Sequence, residues 1–125
     1  MFENATSYSG FASDDLGKMR EFYGETLGFE ISEPFPGGLV IQMPGGRETL
    51  VYEKPDFTPA TYTILNIEVE NADAAVDELN SKGIEMERYE GFPHDEKGIV
   101  RDEQLPTGAW FTDPSGNILL VHEPM

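Results

Sequence analysis

The sequence contains no cysteine, only two histidines and few basic side chains, and each shortage excludes a class of chemistry. Without cysteine the chain can form no disulfide, thiolate nucleophile or cysteine metal site. Eight lysines and arginines stand against 24 aspartates and glutamates, so the formal net charge is −16. This balance argues against a nucleic-acid partner and against binding to an anionic membrane surface. It favours solubility or a cationic ligand.

Long apolar runs are also missing. No stretch approaches the roughly 18 consecutive apolar residues that indicate a membrane-spanning helix. The first residues lack the basic and apolar regions of a signal peptide, so we expect a cytoplasmic protein without membrane contact. The hydrophobic content of 38% and the aromatic content of 11% predict a folded core rather than a disordered acidic chain.

Turn and cap residues divide the chain into two similar modules. In the first module, about 5–54, Asp14 and Asp15 can cap a helix that Gly28 ends. In the second module, about 62–125, Asn71 and Gly83 have the same roles. The predicted strands flank these helices at 6–13, 29–31, 39–43, 47–54, 62–70, 84–86, 108–112 and 117–122.

Each module therefore has the order βαβββ, and the chain is predicted to be an α+β protein. The linker between the modules is 55–61. Because neither module could bury its sheet alone, we expect residues 1–125 to form a single domain with a shared core. The second module carries an insertion at 91–106, a length of loop that is typical of lids and binding elements.

Three stretches resemble the vicinal oxygen chelate superfamily, which includes glyoxalases, bleomycin-resistance proteins and extradiol dioxygenases. They are Asp14-Asp15-Leu16 with Phe22-Tyr23 and Leu27-Gly28-Phe29, Val69-Glu70-Asn71-Ala72-Asp73 with Lys82-Gly83-Ile84, and Ala109-Trp110-Phe111-Thr112-Asp113-Pro114-Ser115-Gly116-Asn117. The resemblance implies that the two βαβββ modules form a half-open barrel around a ligand cavity. It also implies a homodimer.

The resemblance further implies four positions at which the superfamily's enzymes bind a divalent metal through histidine or glutamate. In this sequence those positions hold Tyr8, Val51, Ile64 and Leu120. Three of these side chains have no atom that can coordinate a metal, and tyrosine could do so only as a phenolate. We therefore expect no divalent metal cofactor.

The wall of the implied cavity can be predicted from strand alternation. A two-residue turn at Gly45-Gly46 would place Tyr8, Gly10, Val40, Gln42, Arg47, Thr49 and Val51 on one face of the first module. The corresponding set in the second module is Ile64, Asn66, Glu68, Ala109, Phe111, Ile118 and Leu120. Trp110 would then face away, although a slip of one residue would exchange Trp110 with Phe111. Apolar walls with a few polar anchors are typical of small-molecule pockets.

The two histidines are the remaining candidates for chemistry. His122 and Glu53 follow Leu120 and Val51 by two positions, so each shares its neighbour's face. They could form an acid/base pair or a displaced metal site, or they could be solvated strand ends.

His94 lies in the insertion at 91–106, beside Asp95 and Glu96. This run could be a ligand cluster, but adjacent loop residues rarely converge on one ion, so a charged surface loop is the favoured interpretation. Phe92 and Arg101 are the residues of this loop that we expect to contact a ligand.

These observations support three functions. The first is a metal-free protein that binds a small organic molecule. The second is a lyase, isomerase or dioxygenase of the same superfamily with a non-standard metal or acid/base set. The third is an interaction module whose cavity is filled by side chains.

Overall fold

The computed structural model describes all 125 residues, which form two compact units, Met1–Pro59 and Ala60–Met125. The boundary between the units falls inside the segment 55–61 that the sequence marks as a linker. None of the helices has the length and apolar character that a bilayer-spanning segment requires.

The first unit is a four-stranded sheet with one helical segment. The strands are β1 (Ser9–Ser13), β2 (Glu30–Phe35), β3 (Gly38–Met43) and β4 (Arg47–Glu53), and the helix is α1 (Leu16–Met19), which continues as a π-helix over Arg20–Thr26. The strand order is β1-β4-β3-β2. β1 and β4 are parallel, and the other pairs are antiparallel.

The helical segment of the first unit begins and ends where the sequence predicts. Asp15 is the N-cap, and its Oδ1 accepts a hydrogen bond from the Lys18 N–H at 3.1 Å. Gly28 has a φ of 80°, a conformation that side chains other than glycine rarely adopt. The Tyr23 ring is fully buried and lies 5.9 Å from the Phe11 ring of β1. The helical segment therefore covers the sheet face that carries Phe11.

The second unit has a three-stranded sheet and one longer helix. Its elements are β5 (Thr63–Glu68), α2 (Ala72–Ser81), β6 (Gly108–Thr112) and β7 (Ile118–His122), with the strand order β5-β7-β6. Asn71 caps α2 by accepting from the Ala74 N–H at 2.9 Å, and Gly83 ends the helix with a φ of 84°. Both roles were predicted from the sequence.

The strand predicted at 84–86 does not form. One bridge joins Glu87 to Trp110, through an N–H···O=C bond of 2.7 Å from Glu87 to Trp110. Beyond this bond the chain turns away into the loop 89–98, whose ends are joined by the His94 ring through Tyr89 and Gly98, and no further rungs are added to this ladder. The mixed α+β class is confirmed, but the second unit has three strands and three isolated bridges, Glu87–Trp110, His94–Val100 and Val100–Gly108.

The β3–β4 hairpin corrects the predicted face of the first unit. Met43 pairs with Arg47, so the turn contains three residues, 44–46, and not the two that were assumed. A shift of one residue moves every side chain of a strand to the opposite face. Val51 consequently lies with Phe11 on the helix-covered face and is fully buried, whereas Gln42 lies on the other face. Arg47 is four residues before Val51 on β4, so it shares the face of Val51 and not the face of Gln42.

The register of β6 and β7 likewise corrects part of the predicted face of the second unit. β6 pairs with β7 through Trp110–Leu120 and Phe111–Leu119, so Trp110 shares a face with Leu120. Phe111 points the other way and is 1% exposed in the core that α2 covers. Trp110 and Phe111 therefore lie on the faces that a slip of one residue would give them, the reverse of the faces first predicted. Asn66 does share a face with Leu120, as predicted, because β5 pairs Asn66 with Leu120.

The turn between β6 and β7 is held by a buried carboxylate. Asp113 is 4% exposed, and its Oδ1 accepts from the backbone N–H groups of Ser115 at 2.9 Å and Asn117 at 3.0 Å. Its Oδ2 accepts from the Asn117 side-chain amide at 3.0 Å. The most specific stretch of the sequence resemblance is thus a structural turn, which fixes the register of β6 against β7.

We expect Asp113→Ala to lower the free energy of unfolding by about 2–3 kcal/mol, because it leaves three N–H donors in a buried turn without their charged acceptor. Chemical denaturation with detection by circular dichroism measures this loss. The exposed Glu70→Ala is the control and should change stability by about 0.5 kcal/mol or less. Equal effects of the two substitutions would contradict a structural role for this carboxylate.

Candidate functional site

In the second unit, α2 leaves one face of the sheet uncovered, and the side chains that could contact a ligand lie mainly on that face. We call it the helix-free face, and its residues are Asn66, Glu68, Trp110, Leu120 and His122. Asn66 and Glu68 are exposed on β5, and Leu120 and Trp110 are half-buried on β7 and β6. The face therefore combines an apolar centre with polar groups on the β5 side.

Trp110 is the centre of an aromatic cluster. Its ring makes edge-on contacts with Phe92 at 4.9 Å and with Tyr89 at 5.3 Å between ring centroids. Its indole Nε1 donates a hydrogen bond to the Thr63 hydroxyl at 3.0 Å. Burial raises the pKa of the Tyr89 hydroxyl, and the Glu87 carboxylate adds to this rise. Tyr89 therefore remains a neutral side chain beside the indole.

His122 is nearly buried, with 7% of its surface exposed. Its Nδ1 lies 2.7 Å from the Glu123 carbonyl oxygen, so Nδ1 carries the proton and donates it. Nε2 has no hydrogen-bond partner in the protein. Every buried side-chain nitrogen and oxygen has such a partner, so Nε2 must reach the surface. Nε2 is thus the ring atom that His122 presents at the surface.

His94 has a different role from His122, because both of its ring nitrogens are engaged. Nε2 accepts from the Tyr89 N–H at 2.9 Å, and Nδ1 donates to the Gly98 carbonyl at 2.8 Å. The ring joins the two ends of the loop 89–98. Of the two interpretations that the sequence left open, the structure favours a loop residue over a metal ligand.

Arg101, which the sequence places among the ligand contacts, is engaged with α2 and with its own loop. Its guanidinium bonds both oxygens of Asp73, at 2.8 and 2.9 Å, and Oδ2 of Asp95 at 3.1 Å. Lys97 adds an ion pair with Asp77 at 2.9 Å. The insertion is therefore fastened to α2 through charges. Phe92, the other predicted contact, is 40% exposed beside Trp110.

Two carboxylates of this network, those of Asp73 and Asp95, have pKa values below their usual range. The hydrogen bond from Arg101 lowers the pKa of Asp73. Burial opposes ionisation of Asp95, but the N–H groups of Ile99 and Lys97 and the Arg101 guanidinium outweigh it and lower the Asp95 pKa.

The predicted residues of the first unit do not form a comparable cluster. Tyr8 precedes β1 and is 65% exposed, and Arg47 is exposed at the start of β4. Gln42 donates to the Glu48 carboxylate at 2.7 Å. Glu53 is exposed at the end of β4 and lies on the side of Val51 that the helix covers, not on the face of Gln42.

The residues present do not fit a metal centre of the kind that the resemblance implies. Val51 is buried on the helix-covered face, and Ile64 lies at an irregularity in β5 between the paired Thr63 and Leu65. Leu120 has no donor atom. Histidine, aspartate and glutamate side chains nowhere converge in groups of three that could hold a metal ion.

Sequence reasoning missed the importance of Trp110 and Tyr89. Trp110 was assigned to the opposite face because the length of the β6–β7 turn was not known. Tyr89 lies in a stretch without strand or helix periodicity. The available signal was the single tryptophan of the chain, three positions before the turn motif that begins at Asp113.

Comparison with known proteins gives one family and several similar folds. The family model of the Glyoxalase/Bleomycin resistance protein/Dioxygenase superfamily matches residues 7–121. No curated protein sequence matches the chain.

Among solved structures, the fosfomycin resistance protein FosX from Listeria monocytogenes is 15% identical, with a TM-score of 0.73 over 98% of this chain and 94% of that one. The antibiotic binding protein TnmS3 from Streptomyces sp. CB03234 is 23% identical, with a TM-score of 0.65 and 98% coverage of both chains. A glyoxalase family protein from Enterococcus faecalis is 24% identical, with a TM-score of 0.66 over 98% and 100% of the two chains. At these identities the likeness shows the fold.

We expect Phe92→Ala to shift the fluorescence emission of Trp110 to longer wavelengths, because removing the 4.9 Å ring contact admits water to the indole. The chain has one tryptophan, so the steady-state emission spectrum reports this site alone. Phe2→Ala, at a ring that is 75% exposed, is the matched control. An unchanged spectrum of Phe92→Ala would show that this ring does not shield Trp110.

We expect Arg101→Gln to lower the melting temperature most above about pH 5 and less as the pH falls below about 4. The folded-state pKa values of Asp73 and Asp95 are lowered, so their stabilising contribution is complete above the unfolded pKa and is lost as the pH falls through the folded pKa. Thermal melts across this pH range measure the difference. Arg47→Gln, at an exposed arginine without an ion pair, should show no such pH dependence.

Proposed function

The chain belongs to the Glyoxalase/Bleomycin resistance protein/Dioxygenase superfamily, and on that premise we propose that it binds a small organic molecule without a metal ion. The proposed binding surface is the helix-free face of the second unit. The ligand packs on Trp110 and Leu120, with Phe92 at the edge of the surface and Asn66 as a polar contact.

The single observation that carries this proposal is the position of Trp110. The chain's one tryptophan is half-buried, contacts two other aromatic rings and lies on a sheet face that no helix covers. Aromatic side chains with a few polar groups nearby are typical of ligand pockets. The names of two structural neighbours, a fosfomycin resistance protein and an antibiotic binding protein, support a ligand of this size class.

Binding without a metal is part of the same proposal. The positions where the superfamily's enzymes place their ligands hold Tyr8, Val51, Ile64 and Leu120, which offer at most one donor atom. A ligand would therefore be held by packing and hydrogen bonds. The homodimer implied by the resemblance also belongs to the proposal, and sedimentation at micromolar concentration tests it, since a monomer would refute it.

A second candidate function is a lyase, isomerase or dioxygenase of the same superfamily. The solvent-facing Nε2 of His122 favours it, because a fixed neutral imidazole can accept a proton. Glu53, its partner in the sequence-based hypothesis, lies on another unit and is exposed. If this function holds, the protein converts the molecule that it binds into a product, and His122→Ala abolishes formation of that product.

We expect an aromatic antibiotic such as bleomycin to quench the fluorescence of Trp110 and fosfomycin, which has no aromatic ring, to leave it unchanged. Addition of EDTA should not alter the quench, because no metal is needed. Trp110→Phe retains an aromatic surface but removes the signal, and a ligand-dependent rise in its melting temperature should persist. The proposal fails if a broad library of aromatic compounds gives neither quenching nor stabilisation, or if EDTA abolishes binding.

A further inference from the structure

We infer that His122 and Glu68 form a paired acceptor site that selects ligands carrying an amidinium, guanidinium or ammonium group. This inference rests on the proposed function, because it names the chemical class of ligand that the helix-free face takes.

In its uncharged form the imidazole of His122 acts as an acceptor toward a ligand. Its Nδ1–H is committed to the Glu123 carbonyl oxygen at 2.7 Å, and this leaves the lone pair of Nε2 at the surface. The rest of the ring is buried, with 7% exposure, so it has little freedom to turn away.

Gly108 of β6 is paired with His122 of β7, and its lack of a side chain allows the two strands to pack closely there. A Cβ at Gly108 would lie 2.4 Å from the Val121 carbonyl oxygen and 2.8 Å from the His122 Cβ. Only glycine leaves room for β6 at this position.

Glu68 provides the second acceptor. The parallel pairing of β5 and β7 places Glu68 directly beside His122, on strands about 4.8 Å apart. Glu68 is exposed and takes part in no hydrogen bond or ion pair, so both carboxylate oxygens remain available. One neutral acceptor and one charged acceptor therefore lie side by side, and two N–H groups on one planar cation match that arrangement.

The second unit supplies no cation of its own to this pair. In the second unit, Arg88 is bound to the carbonyl oxygens of Asp95 and Glu96, and Arg101 is bound to Asp73 and Asp95. Lys97 is paired with Asp77 and Lys82 with Glu78. The acceptors on the helix-free face are therefore left for a ligand.

An apolar surface lies at a suitable distance from the paired acceptors. Leu120 precedes His122 by two residues on β7, which corresponds to about 7 Å along the strand, and Trp110 is paired with Leu120. A ring that packs on Leu120 and Trp110 can place a cationic substituent on His122 and Glu68. Benzamidine has this shape, with two N–H donors on a group attached directly to a planar ring.

The test compares benzamidine with benzyl alcohol and benzoate at about pH 8, where an ordinary imidazole is neutral. Binding is measured by the quenching of Trp110 and, independently, by chemical-shift changes in amide NMR spectra. We expect benzamidine to bind at least about tenfold more tightly than either comparison compound. Glu68→Gln and His122→Phe should each weaken benzamidine binding by about tenfold, because each removes one acceptor of a charge-assisted hydrogen bond.

The controls separate this inference from the proposed function. Glu78→Gln changes a glutamate on α2, away from the helix-free face, and should leave benzamidine affinity unchanged. If His122→Phe does not fold, Glu68→Gln at an exposed position still decides the matter. Equal binding of the three compounds with no effect of Glu68→Gln would overturn the inference and leave the proposed function intact. If none of the three compounds shifts the amides of the helix-free face, the paired acceptor site is refuted, while the aromatic library above still decides the broader proposal.

Discussion

Strand register is the constraint on which the candidate site depends. In each unit a helix can cover only one face of the sheet, and the apolar residues that alternate along the strands must lie under it. The hairpin turns decide which residues those are. The three-residue turn at 44–46 places Val51 under the helical segment, and the turn held by Asp113 places Phe111 under α2. Trp110 is left on the face without a helix because Phe111 occupies the core.

The acidic composition has a more local meaning than the net charge of −16 suggests. The carboxylates of Asp73, Asp77 and Asp95 hold the insertion to α2 by binding Arg101 and Lys97. These exposed pairs contribute little individually, but they share partners and fix one loop. The cations of the second unit are used there, so the carboxylate of Glu68 on the opposite side of the sheet has no partner. The structural network thus leaves an acidic position on the helix-free face.

The order of strands and helices could be predicted from the sequence because caps and turn residues act locally. Asp15, Asn71, Gly28 and Gly83 all have the predicted roles. Which face of the sheet each side chain occupies was harder to predict. Pro44 permits turns of two or three residues, and a difference of one residue moves every side chain of the following strand to the opposite face. The roles of His94 and Arg101 also depend on partners distant in sequence, such as Gly98 and Asp73, that no local pattern identifies.

The two histidines show why residue type alone is a weak guide to function. His94 lies in the His-Asp-Glu run that most resembles a ligand cluster, yet both of its nitrogens are satisfied within the loop. His122 lies at the end of a strand beside ordinary residues, yet its Nε2 faces solvent with its tautomer fixed by the Glu123 carbonyl. What distinguishes them is the number of committed ring nitrogens. A chain that lacks the superfamily's metal ligands has its available imidazole nitrogen next to an unpaired carboxylate, and no third histidine, aspartate or glutamate joins them in a group that could hold a metal ion.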